Sequence, residues 1–497
     1  MRAPSEDLFR LVKAMNKGEK RNFKLLAGML TGDKKYIDLF DQIDKQTEYD
    51  ESKILKSGIS KGRLSVAKNY LFKFLLKSLV YQRSDAYSEA IQLIEQVRIL
   101  MAKHLFREAG KVLKKALSQV TKMEAFGLQL ELLDLKESLL MVTLEAKDLF
   151  ASLLEIQEVR KGVVREIEFI HELKQLHHKV KLAHNKRLKI KAGEAGIAEL
   201  MQHPLVKQGE PSSSIRARLI YLKIVRKLYS YQNNSKVAAE HCLRLLETYQ
   251  SSEAILESEL GDYFLELSNL CTYHFRSGNN EESLALMERF LEARDKYKNS
   301  DIEFFQRYYI LQMAYAVHVG DPAYGFQFID QLDKDLRAIH RKIPSAHLRW
   351  LYYLIAYLHF MDGDAASTRD WLNRFFSIPS TNYLNDLPAF ARLLLLLVLF
   401  DLKEFSLLET ETTNVQRFLD RNGIHTPYEY EVVKSIRYLL REIGLGRDRE
   451  VLKTALKDFQ AAMAEHGHEV RELLNFELWL QYKLTGIRIA DLQKEGT

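Results

Sequence analysis

His274-Phe-Arg-Ser-Gly278-Asn-Asn-Glu-Glu282, Ala316-Val-His-Val-Gly320-Asp-Pro-Ala-Tyr324 and His359-Phe-Met-Asp-Gly363-Asp-Ala-Ala-Ser367 repeat one punctuation mark. Each separates two helix-length apolar runs within Tyr263–Pro379, and the glycines lie 42 and 43 residues apart. Glycine accepts the left-handed backbone that closes a helix, and a short polar side chain satisfies the free N–H groups that open the next one. The spacing therefore predicts helix ends at Gly278, Gly320 and Gly363. New helices are expected to be started by Asn279-Asn280, Asp321-Pro322 and Asp364-Ala365, with Pro322 at the first helical position. Helical hairpins at a fixed period predict a solenoid-like array.

Composition agrees with an all-α chain. Its 8 prolines and 22 glycines in 497 residues fall below the roughly 5% and 7% of an average protein, so few residues break helices. Apolar content of 46% argues against disorder. Cys242 and Cys271 both fall in apolar helical runs and read as reduced core thiols, not as a disulfide framework. The first residues lack the apolar stretch of a secretory signal, and the longest apolar run, Leu393–Phe400, is far short of the ~20 residues that span a bilayer. A cytoplasmic location is expected.

Working outward from the three repeats gives four regions. Residues 1–82 form a basic helical segment, either a cap on the array's open face or a helix-turn-helix-like module. It ends in a strong amphipathic helix from Leu64 to Tyr81. Residues 83–192 hold helical hairpins, including a pair over Phe126–Leu154 and then a long basic charged stretch from Glu155. Residues 193–214, with Gly193, Gly196, Pro204, Gly209, Pro211 and three serines, are expected to be a linker. Residues 215–497 carry the array, through the very apolar Ala389–Phe400, a capping box at Thr426–Glu429 and a last pair over Arg449–His466 and Val470–Tyr482.

The residues around the turn glycines resemble tetratricopeptide (TPR) repeats. The first repeat supplies Leu267, Leu270, Cys271, Gly278, Ser283, Met287 and Phe290. The third supplies Tyr352, Ile355, Ala356, Gly363, Thr368, Leu372 and Phe375, and the second Tyr309, Met313, Gly320, Gly325, Ile329 and Leu332. Met313 is large for its slot, and the period of about 42 exceeds the family's 34. The likeness is to TPR-like arrays with lengthened helices. It implies a right-handed superhelix with a groove that binds peptides or helices, and it implies no reaction and no cofactor.

In that register a second stripe of each first helix faces the groove. It reads Trp350, Tyr353, Tyr357 and Phe360 in the third repeat, Arg307, Ile310, Ala314 and Val317 in the second, and Ser268, Thr272 and Phe275 in the first. Large aromatics on such a stripe suit the anchoring of an apolar or proline-rich peptide, or else pack against the neighbouring repeat. The leading function is a protein–protein scaffold that takes a peptide or partner helix in this groove.

The alternative is a nucleic-acid-binding regulator. Residues 1–80 and 160–192 each carry a net charge of +7 in a chain of net +6, and Lys179, Lys181, Lys186, Arg187 and Lys189 offer phosphate contacts. His171, His177, His178 and His184 share that basic helix, but their spacing does not suit a metal. No Walker loop, HExxH or GxSxG occurs, and Gly444-Leu-Gly446 follows no strand, so no enzyme is expected.

Overall fold

A computed structural model of the chain describes residues 5–29, 35–55, 61–83, 85–143, 146–187, 192–211, 214–297, 301–339, 342–379, 387–424, 427–442, 447–466 and 473–495. Among them every regular element is helical, and helices adjacent in sequence pack as pairs. None is long and apolar enough to cross a membrane. The chain divides into two compact units, Met1–Phe169 and Ile170–Thr497.

The first unit opens with α1 (Ser5–Ala14), α2 (Lys17–Met29), α3 (Lys35–Lys45), α4 (Glu51–Leu55) and α5 (Lys61–Gln82). These five helices enclose a core of their own around Leu8, Val12, Phe23, Phe40, Ile54 and Leu75. Lys68, one of the lysines of the amphipathic helix, is buried and pairs with Glu51 at 2.8 Å. A second core lies among α6 (Ala86–Ala102), α7 (Phe106–Lys122) and α8 (Phe126–Thr143). The pair expected over Phe126–Leu154 is cut differently: α9 starts at Ala146 and runs unbroken to Arg187, 42 residues. With no proline and one glycine in that span, nothing stops the helix once begun.

The 193–214 stretch is not structureless. It holds α10 (Ala192–Met201) and α11 (Pro204–Lys207). Pro204 opens a helix instead of blocking one, with the His203 ring capping it. Ser214 accepts from the Ala217 N–H and starts α12 (Ile215–Tyr231), which pairs with α13 (Ser235–Gln250). After the short α14 (Glu253–Ser258) come α15 (Leu260–Arg276) and α16 (Asn280–Lys296). They are followed by α17 (Asp301–His318), α18 (Pro322–Phe326), α19 (Ile329–Ile339), α20 (Ser345–Met361) and α21 (Ala365–Ser377). The rest are α22 (Leu387–Asp401), α23 (Phe405–Asn422), α24 (Pro427–Glu442), α25 (Asp448–His466), α26 (Phe476–Thr485) and α27 (Ile489–Glu495). As its sequence demands, α22 is buried along Leu393–Phe400 except at half-buried Leu395. Cys242 and Cys271 are buried free thiols, and burial pushes the Cys271 thiol up to about 12.

Gly278, Gly320 and Gly363 sit at hairpin corners with φ of +80°, +67° and +87°. At each, the next residue's N–H reaches back five residues to a carbonyl: Asn279 to His274, Asp321 to Ala316 and Asp364 to His359, all at 2.9 Å. This is the Schellman closure of a helix. The identical bond closes α6, α7, α12 and α22, where the left-handed residue is His104, Glu124, Asn233 or Lys403. The spacing of the glycine corners continues to Asn233 and Lys403, 45 residues before Gly278 and 40 after Gly363, whereas His104 and Glu124 are 20 apart.

Two expectations are corrected. Asp321 and Asp364 cap through their side chains, but Asn279 does not. The second helix of the middle repeat is broken into α18 and α19. At Gly325 a Cβ would lie 2.6 Å from Leu358 Cδ1 and 3.1 Å from Ala316 Cβ, so α18 presses its backbone against α17 and α20 before the chain turns. Val470, the expected start of the last helix, lies outside the described residues; α26 starts at Phe476, capped by the Asn475 side chain, and α27 follows it. The Thr426 cap lies outside the described residues.

Candidate functional site

α15 packs on α17, and α17 on α20. Residues recurring at three- and four-residue steps on one face of each helix then share a surface. These are Thr272 and Phe275 on α15; Arg307, Ile310, Ala314 and Val317 on α17; and Trp350, Leu354 and Tyr357 on α20. They line one cavity of about 630 Å³. Small side chains at Thr272, Ala314 and Ala346 leave the space between the larger ones.

Of the stripe read from sequence, Phe275, Arg307, Trp350 and Tyr357 come together in this wall. Tyr353 and Phe360 do not line it. Tyr353 is fully buried and its hydroxyl donates to the Leu473 carbonyl. Phe360 is buried against the Tyr357 ring, with centroids 6.0 Å apart.

The remaining wall is one that sequence reasoning missed. Leu473, Asn475 and Gln493 come from the C-terminal segment, which folds back over α17 and α20. The Asn475 N–H donates to the Tyr357 hydroxyl at 3.0 Å. Gln493 Nε2 donates to the carbonyls of Val317 at 2.7 Å and His318 at 2.9 Å, at the end of α17. Arg488 pairs with Asp362 at 2.7 Å. No periodicity in Phe476–Glu495 signals this docking. The only local hint is the Asn475 cap.

The wall is apolar with cationic and neutral polar groups, and no carboxylate is among the described residues lining it. Burial pulls the Arg307 guanidinium below its ordinary pKa, and Asp262 and Glu266 only partly restore it. Those two carboxylates are committed elsewhere, Asp262 to Lys223 at 2.6 Å and Glu266 to buried Arg226 at 2.8 Å. Among the described residues no hydrogen bond or ion pair engages Arg307. Burial, and then the Arg307 charge, hold the His347 pKa down to about 4, so its ring is neutral at pH 7. Burial pushes the Tyr357 hydroxyl up to about 12, so it stays a donor.

Of the phosphate-contact candidates, Lys179 and Lys181 are exposed on α9. The side chains of Lys186 and Arg187, and all of Lys189, lie outside the described residues. His171 and His178 are exposed. His177 is half-buried, its pKa pulled down to about 3 by burial first and then by Lys181, Lys227 and Lys223. No metal-ligand cluster occurs among the described residues.

His177 and His347 together set a pH dependence. Each binds a proton more weakly folded than at its ordinary value of 6.5, so acid favours the unfolded chain. Stability is expected to fall as pH drops from about 6.5 through 4, by on the order of 1–3 kcal/mol for His347. Thermal melts across that window check this. His347→Gln should flatten its upper part, and an unchanged slope would exclude His347 as a source.

The chain matches no family model, no curated protein and no solved structure.

Proposed function

We propose that residues 215–497 form a TPR-like right-handed superhelical array acting as a non-enzymatic scaffold. Its partner's peptide or helix enters at the cavity of α15, α17 and α20. The observation that carries this reading is the convergence of one stripe from three successive first helices on a single apolar concavity. A concave, mostly apolar wall with a few placed polar groups is the usual form of a binding site, and half-buried Trp350 supplies the kind of anchor that concentrates binding energy. The C-terminal segment already covers Tyr353, so a partner has the Thr272–Arg307–Trp350 side of the concavity.

A peptide-display selection on the full chain tests the reading. Enriched peptides should carry large apolar residues and bind Ala314→Phe at least about tenfold more weakly, because the new ring fills the space their side chain takes. The variant's melting temperature should stay near that of the parent, since Ala314 borders open space. Peptides that bind both proteins equally would remove the cavity from the reading.

The nucleic-acid alternative has less behind it. Lys20 and Lys24, like Lys68, give their charge to carboxylates of the same small domain, at Asp44 and Asp41, which weakens the field available to a phosphate backbone.

A further inference from the structure

We propose that the same cavity binds a free monocarboxylic acid with an apolar alkyl or aryl body. This is a small-molecule site beyond the partner-binding reading and independent of it.

Arg307 is half-buried in this wall and has no hydrogen bond or ion pair among the described residues. A guanidinium withdrawn from water and left without a partner is costly, and nearby carboxylates ordinarily remove that cost. Here the two nearest in effect, Asp262 and Glu266, are held by Lys223 and Arg226. The cation instead borders a space of about 630 Å³, a volume within the range that small ligands occupy. A carboxylate meets a guanidinium through two parallel hydrogen bonds and satisfies it in one contact.

The other polar groups fix the ligand's charge. Asn475 spends its side-chain oxygen on the Leu478 N–H, which leaves its amide N–H₂ as donor. Tyr357 accepts from the Asn475 backbone and keeps its own proton to donate. His347 is neutral. Arg307 is the half-buried cation of this wall and Arg276 an exposed one, so Arg307 with the neutral donors around it matches a single negative charge there. A phosphate monoester would bring up to two charges into this apolar surrounding, and the second would have only the exposed, water-screened Arg276 to meet it. Beyond the head group, Ile310, Val317, Leu354 and Trp350 offer hydrocarbon and one aromatic face. The C-terminal segment closes the concavity where a longer chain would continue past Tyr357, which favours a short ligand.

Occupancy and partner binding would then compete for the same volume, so the acid would set how much of the scaffold is open to its partner.

The test is calorimetric titration of the full-length protein with octanoate and 4-phenylbutyrate, with octanamide and octyl phosphate as comparison probes. Trp350 fluorescence provides a second readout. At least one acid should bind, the amide and the phosphate should each bind about ten- to a hundredfold more weakly, and Arg307→Met should weaken the acid by a similar factor. Ala314→Phe should abolish acid binding with Arg307 in place. Should Arg307→Met not fold, the comparison of acid with amide on the unaltered protein still decides. Equal binding of acid and amide, binding that survives Ala314→Phe, or no binding of either acid at millimolar concentration would overturn the proposal. None of these results alters the peptide selection, which stands or falls separately.

Discussion

Gly320→Ala is expected to destabilise the protein by roughly 2–5 kcal/mol, well beyond the effect of the same change at Gly278. Both glycines hold left-handed corners, at φ +67° and +80°, where a Cβ costs about 1–2 kcal/mol. At Gly278 nothing lies within 4 Å of the added carbon, so that cost is the whole effect. At Gly320 the carbon would stand 2.9 Å from the Ala490 carbonyl oxygen and 3.3 Å from Lys494 Cγ. Backbone cannot swing aside as a flexible side chain can. The corner or α27 must shift, at the 1–3 kcal/mol typical of overpacking. A shift of α27 would also break the Gln493 bonds to Val317 and His318. Urea denaturation of the two variants side by side measures the difference, and equal losses would show that α27 does not seat on this corner.

The three glycine corners were legible because the physics there is local. A helix that must reverse within two residues needs a left-handed residue, and glycine is the cheapest. The corners at His104, Glu124, Asn233 and Lys403 use the same bonds without the cheap residue. There the helices packed on either side hold the backbone in place, and composition gives no sign of it. The break between α18 and α19 was illegible for a related reason. It follows from how closely Gly325 approaches Leu358, a residue 33 positions away.

The candidate site divides in the same way. The TPR-like register, with helical spacing, put Phe275, Arg307, Trp350 and Tyr357 on one stripe, because helical periodicity projects from sequence into space. It could not separate them from Tyr353 and Phe360, which obey the same spacing. What separates them is the C-terminal segment, whose carbonyl at Leu473 takes the Tyr353 hydroxyl. That contact spans 120 residues, and a contact of that range leaves no periodic trace. That Arg307 has no partner among the described residues is likewise a property of the assembled surface, since the carboxylates that influence it sit on α15 and are paired with α12.

Trp479→Ala is expected to cost about 3–5 kcal/mol, the range for a large aromatic removed from a core. Trp479 is fully buried. Its ring stacks on Phe476 at 5.4 Å and meets the edge of Phe400 at 5.2 Å. Its indole N–H lies 3.2 Å from each oxygen of Asp401, which also pairs with Lys483 at 2.9 Å. Packing and hydrogen bonding are therefore joined in one side chain, and Trp479→Phe separates them. The phenyl ring retains most of the apolar contact and drops the donor, so it should cost only about 1–3 kcal/mol at pH 7. Burial raises the Asp401 pKa, with Lys483 and Trp479 holding it back. Losing the indole donor should raise it further. A carboxyl that is more basic folded than unfolded loses stability as pH rises from its ordinary 3.8 through its folded value. The deficit of Trp479→Phe should accordingly be smaller at pH 4 than at pH 7, where Asp401 is charged with one partner fewer. A deficit independent of pH would assign the whole effect to packing. Because α26 carries Trp479 and follows directly on Asn475, the alanine variant should also loosen the wall that Asn475 and Gln493 give the cavity, and weaken any ligand held there together with the fold.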